Sequence, residues 1–151
     1  MNSMQNLELF EKAVVTILNM DGWNLNHVGG MSHYDAVGET PKKIPCVLEI
    51  KFRNTYYPTK MLEQYKYEKL MQENKVALYF VNDPKGNYLF WLNNLKMPDP
   101  IDMYCPETTL WTKKKLLKPC YLLDESMATI VNENEEAKPG VWDSYFNRQK
   151  K

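Results

Sequence analysis

Two hydrophobic periods alternate along this chain. Leu7, Phe10, Val14, Ile17 and Leu18 recur at helical spacing and predict an amphipathic helix from about Gln5 to Asn19, stopped by Asp21-Gly22. From Trp23 to Val28 apolar and polar residues alternate, as in a half-buried strand. Gly29-Gly30 marks a turn, Tyr34 to Val37 reads as a short strand, and Gly38 to Lys43 is a polar turn. Cys46 to Phe52 then has the apolar density of a central strand. Pro58 suits the first turn of a second helix, expected over Thr59 to Glu73. Val76 to Val81 is a strongly apolar strand, Asp83-Pro84-Lys85-Gly86-Asn87 a hairpin turn, and Tyr88 to Leu92 the returning strand. Helix, three strands, helix and two strands predict an α/β fold: a mixed central sheet flanked by helices.

Beyond Leu95 the pattern fades. Met97 to Pro100 reads as a loop, Thr109 to Leu117 as a strand or short helix, and Cys120 to Leu123 as a short strand. Residues 132–140 read as a polar loop, and the tail from Val141 carries Trp142, Tyr145 and Phe146 on a segment that could dock as a helix. One domain over 1–151 is expected, with a core at about 5–95 and a C-terminal extension at about 96–151.

Composition narrows the classes. With 44% hydrophobic and 25% charged residues, the 151-residue chain has the make-up of a soluble globular domain. It contains no apolar run long enough for a membrane span. Its N-terminus lacks the features of a signal peptide, so a cytoplasmic location is expected. Three cysteines without a CxxC pair argue against a disulfide framework, and with two histidines they make a structural zinc site a poor fit. The formal net charge is zero, so any affinity for phosphate must come from a local patch.

Candidate chemistry begins on the central strand. Glu49 and Lys51 are two apart and therefore share a face, while Leu48, Ile50 and Phe52 point the other way. Two charges on such a strand need compensation. A bound cation supplies it, and so does a Glu–Lys pair with a neighbouring strand. Asp35, on the preceding strand, can converge with Glu49 on one hard cation across the hairpin; Mg²⁺ is held by one or two carboxylates with water and phosphate. Lys51 would then orient water or stabilise developing charge.

The triplet Glu-x-Lys alone says little, because it recurs at Glu73-Asn74-Lys75 and Glu136-Ala137-Lys138. Strand context singles out the first copy. Glu11 falls within the apolar arc of the first helix, where a carboxylate needs a partner: a metal-bound water on the functional reading, solvent at the helix edge on the bland one. Lys60 and Gln64 form an i, i+4 pair on the second helix, able to reach phosphate or the attacking water, or to lie exposed.

From Glu39 to Lys75 the chain holds eight basic residues against five acidic ones, a local positive excess. Lys42 and Lys43 on the hairpin turn, with Arg53 and Lys60, are the candidate nucleic-acid contacts. Tyr56 and Tyr57 suit either base stacking or packing. Lys113-Lys114-Lys115 with Lys118 reads first as a solvated face.

His33-Tyr34-Asp35, Val47-Leu48-Glu49-Ile50-Lys51 and Leu62-Glu63-Gln64-Tyr65 together resemble the PD-(D/E)xK nuclease superfamily of restriction-endonuclease-like fold. The resemblance spans roughly Glu11 to Leu92. Tyr34 stands where the family name has proline, and Glu68 where one branch has tyrosine. The resemblance implies that Asp35 and Glu49 ligate Mg²⁺, or Mn²⁺ in its place, with the Ile50 carbonyl as a third ligand. It implies that Lys51 is the catalytic lysine, Glu11 the first-helix acid and Gln64 the second-helix glutamine. His33 invites comparison with members in which a histidine joins the metal site, although a hydrogen-bonded surface histidine is the simpler reading. The expected function is Mg²⁺-dependent hydrolysis of DNA, by an endonuclease acting on branched or duplex substrate in recombination, repair or phage DNA processing. The alternative is an inactive nucleic-acid-binding or regulatory protein on the same fold. DNA is the expected partner, a homodimer is compatible with the aromatic tail, and no organic cofactor is called for.

Overall fold

The computed structural model describes residues 3–30, 32–106 and 115–128. Helix α1 spans Ser3–Met20. Its C-terminus closes through Gly22 in the left-handed region (φ 95°). The Asn19 side chain then pins the helix end to the next strand, accepting from the Leu25 amide at 2.8 Å and donating to the Leu25 carbonyl at 2.9 Å.

Strands β1 (Asn24–His27), β2 (Ala36–Glu39), β3 (Pro45–Phe52), β5 (Val76–Asp83) and β6 (Gly86–Trp91) form a five-stranded sheet in the order β1-β2-β3-β5-β6. Only β3 and β5 are parallel; the other pairs are antiparallel. A parallel pair needs a crossover. Here it is made by β4 (Thr59–Glu63) and the helix α2 (Gln64–Met71) that follows it directly. β4 belongs to a second sheet with β7 (Ile101–Pro106) and β8 (Lys115–Asp124), in the order β4-β8-β7.

The side chains of β3 divide two cores. Cys46, Leu48 and Ile50 pack with Val14, Leu18, Leu78 and Phe80 on the α1 side. Val47 packs on the other side with Leu62, Leu70, Tyr79, Val81 and Leu123. Period-2 alternation therefore puts Glu49 and Lys51 on the second face, as the sequence pattern requires.

Gly38 makes this arrangement possible. It lies in β2 opposite Leu25 on one side and Cys46 on the other. A Cβ on it would stand 1.9 Å from the Asn24 carbonyl oxygen, so only glycine permits β1 to approach.

Several expectations need correction. Thr59–Glu63 is a strand, not the start of the second helix: it pairs residue by residue with β8 and buries alternate side chains, Lys60 and Leu62. Pro58 thus precedes a strand, and Lys60 and Gln64 do not share a helix face. The strand expected at Tyr34–Val37 begins at Ala36 and runs through Gly38 and Glu39. The expected short strand at Cys120–Leu123 is the inner part of the longer β8, and β7 was not foreseen. The expected loop at 132–140, the aromatic tail and most of Lys113-Lys114-Lys115 lie outside the described residues.

Among the described residues no helix is long and apolar enough to cross a membrane. All three cysteines are buried and free, although Cys105 Sγ and Cys120 Sγ approach to 3.6 Å.

Candidate active site

The end of β2 builds the site. Ala36 is the register partner of Leu48, yet the Asp35 amide also donates to the Leu48 carbonyl at 2.8 Å. Two residues thus oppose one, as at a β-bulge, a device that re-aims a side chain where pairing ends. The Asp35 carboxylate turns along β3, and its Oδ2 accepts the Ile50 amide at 2.7 Å. N–H and C=O of one strand residue point to the same neighbour. The Ile50 carbonyl therefore faces the Asp35 edge, beyond the last β2 residue paired with β3.

Burial raises the Asp35 carboxyl to about 8; the neighbouring Glu49 adds to the rise, which the Ile50 amide opposes and Glu11 reinforces. Glu49 is itself buried, at 5% exposure. Two desolvated carboxylates side by side are the electrostatic setting in which a hard cation is stabilising. The donors present, two carboxylates and a carbonyl directed to the same edge, fit Mg²⁺. Among the described residues no three His, Cys, Asp or Glu side chains are grouped closely enough to form a ready-made metal centre. Water and substrate phosphate would have to complete the coordination.

Glu11 does lie on the inner side of α1, but a histidine meets it: His27 Nε2 is 2.9 Å from Glu11 Oε1. His27 is on β1, so α1 and the sheet edge are joined beside Asp35. His33, by contrast, is exposed.

Lys51 follows Glu49 on the same face. Burial lowers its pKa, and the positive charges of Lys66 and Arg53 lower it further. Lys66 went unremarked in the sequence except as one more basic residue. On α2 it reaches across and sets Nζ 2.6 Å from Glu49 Oε2. Burial pulls its pKa down, but Glu49, with smaller help from Asp35 and Glu63, leaves it raised. Placing the start of α2 at Thr59 hid this contact. With the helix beginning at Gln64, Lys66 lies in its first turn, within side-chain reach of Glu49 on β3.

Gln64 opens α2 and points elsewhere: its Nε2 donates to the Tyr121 hydroxyl on β8 at 3.1 Å. Arg53 continues the Glu49–Lys51 face and spans towards β4, with Nη2 3.5 Å from the Met61 carbonyl.

Lys60 is not a surface cation. It is buried on β4, donating to Asp83 Oδ2 at 2.7 Å and to the Tyr57 carbonyl, with the rings of Tyr56 and Tyr88 beside it. The assignment of Lys60 as a phosphate contact fails because β4 turns it inward. Tyr56 belongs to this packing, its hydroxyl bonded to Glu125 at 2.8 Å, whereas Tyr57 is exposed. Lys42 and Lys43 are exposed at the β2–β3 turn, before β3 begins at Pro45, and so lie four strand residues and the turn away from Glu49.

No protein-family model and no curated protein matches the sequence. Among solved structures, the chain is similar to a Holliday junction resolvase from Archaeoglobus fulgidus, an archaeal hyperthermophile. The TM-score is 0.52 at 16% sequence identity, over 82% of this chain and 98% of that one. The likeness is one of fold: a mixed sheet flanked by two helices in the restriction-endonuclease-like arrangement.

Proposed function

We propose that this protein is a metal-dependent deoxyribonuclease of the PD-(D/E)xK superfamily, acting as an endonuclease on branched or duplex DNA. One observation supports the reading: the Ile50 amide holds the Asp35 carboxylate next to buried Glu49, on the strand that also carries Lys51, in a fold similar to that of a Holliday junction resolvase. Charged groups on a buried central strand are costly unless a protein group or a bound cation pairs them.

In this reading Asp35, Glu49 and the Ile50 carbonyl hold Mg²⁺. When bound there, Mg²⁺ would supply charge neutralisation at the scissile phosphate and activation of the attacking water. Lys51 stabilises the negative charge that develops on the phosphoryl oxygens. Glu11, oriented by His27, would accept a proton from the attacking water. Gln64, bonded to the Tyr121 hydroxyl, takes no part in this reading. Arg53 contacts the phosphate backbone, and Lys42 and Lys43 reach it only on a long substrate.

The test is cleavage of four-way junction, duplex and single-stranded DNA with Mg²⁺, with Mn²⁺ and with chelator. Metal-dependent cutting of the junction or the duplex is expected. Lys51→Met is expected to slow it at least a hundredfold, on the scale of losing one electrostatic stabiliser. If Glu49→Gln and Lys51→Met both cut as fast as the wild type, the reading fails.

A further inference from the structure

Glu49 has a partner that the proposed chemistry does not require. Lys66 comes from α2, a different element from the strand that carries Glu49 and Lys51. Its ammonium lies 2.6 Å from Glu49 Oε2, on the carboxylate that would ligate the cation. Two cations cannot share that oxygen at contact distance without repelling, so divalent metal and Lys66 compete for Glu49.

The geometry also shows where Lys66 can go. The Glu49 side chain is 6% exposed, whereas that of Lys66 is 38% exposed. The acid is fixed in the sheet, and the lysine has solvent on one side. Neighbouring Tyr65 is exposed and carries Lys69 near its ring, at 5.5 Å, so this face of α2 is open to a polyanion. A lysine is suited to such a move, because its ammonium is a point charge on a flexible stem.

We infer that Lys66 is an exchangeable counterion: it neutralises Glu49 in the metal-free protein, yields that carboxylate to the divalent cation, and is released to bind a phosphate of the DNA backbone. This deepens the nuclease reading and rests on it. Lys66 is thus a positioning residue for metal loading, not the lysine that stabilises the reacting phosphate. Its release couples the two ligands. DNA that captures the freed ammonium favours metal binding, and metal that displaces it favours DNA.

The experiment is calorimetric titration of the whole protein with MgCl₂ and with MnCl₂, without DNA, on the wild type and Lys66→Met. The variant is expected to bind metal on the order of tenfold more tightly, the ratio set by removing one charge-assisted competitor. It is also expected to bind duplex DNA more weakly in CaCl₂, with a salt dependence reduced by about one phosphate contact. Lys66→Gln is the second variant should Lys66→Met not fold, and the same tightening is expected of it. A merely structural lysine would leave metal affinity unchanged or weaken it. That outcome overturns the exchange while the nuclease reading stands, because wild-type binding is still seen. Absence of metal binding by wild type and variants alike overturns both.

Discussion

Two lysines close together in the chain, Lys60 and Lys66, each meet a buried carboxylate, and the two pairs differ in closure. Lys60 and Asp83 are sealed, with side chains 3% and 1% exposed. Each also has further partners: the Tyr57 carbonyl and two tyrosine rings for Lys60, and the Lys85 and Gly86 amides for Asp83 Oδ1. Lys66 and Glu49 are closed only on the acid's side, and a second carboxylate, Asp35, stands beside them. A sealed pair with these further partners holds β4 to the β5–β6 turn. An open pair with a second, raised carboxyl beside it, which a divalent cation can deprotonate on binding, is equipped to exchange one cation for another. The two pairs differ in closure and in the company of a second carboxyl more than in burial of the acid.

The contrast is broken most severely at Glu49. Glu49→Gln keeps the shape and removes the charge. DNA cleavage is expected to fall a hundred- to a thousandfold, while the melting temperature of the metal-free protein stays within a few degrees of wild type. Lys60→Met is expected to do the reverse. It leaves Asp83 buried and unpaired, at a cost of about 3–5 kcal/mol, read as a fall of roughly 10 °C in melting temperature. Cleavage per folded molecule is expected to be unchanged.

A smaller effect sharpens the open side. The Asp35 carboxyl ordinarily titrates near 3.8 and is raised to about 8 in the fold. Between those values the folded state keeps a proton that the unfolded chain releases, so metal-free stability is greatest at the acid end and falls as pH rises towards 8. Thermal melts at pH 6 and pH 9 in chelator should show the loss. Asp35→Asn should flatten it, and divalent metal should oppose it in the wild type only. The smallest effect expected is at Arg53: Arg53→Gln should lower the slope of log affinity against log salt by about 1 on duplex DNA.

The legible part of the fold was the part governed by a single period. α1 and the β3, β5 and β6 strands follow from apolar spacing, and the face of Glu49 and Lys51 follows from strand alternation. β4 was illegible because its pattern is inverted. A buried lysine at position 60 reads as a surface residue until Asp83, far along the chain, is known to meet it. That one misreading lengthened the second helix, placed Lys60 among the phosphate contacts and concealed Lys66. The nearness of Asp35 to Glu49 was legible because a hairpin is local. The Glu11–His27 and Lys66–Glu49 contacts were not, because each joins a helix to a strand across a turn whose geometry no spacing rule supplies.

Gly38 bears on how genetic screens of this protein should be interpreted. Any replacement introduces a Cβ 1.9 Å from a backbone oxygen, so none can be accommodated unless β1 moves. A search for inactive clones would return this position among the residues of the chemistry, although it contributes no functional group. Its lesion would be displacement of β1, and with it of His27 from Glu11. Loss of activity at Gly38 therefore reports an architectural failure. Complementation assays need a solubility readout alongside them before a hit there is counted as part of the catalytic apparatus.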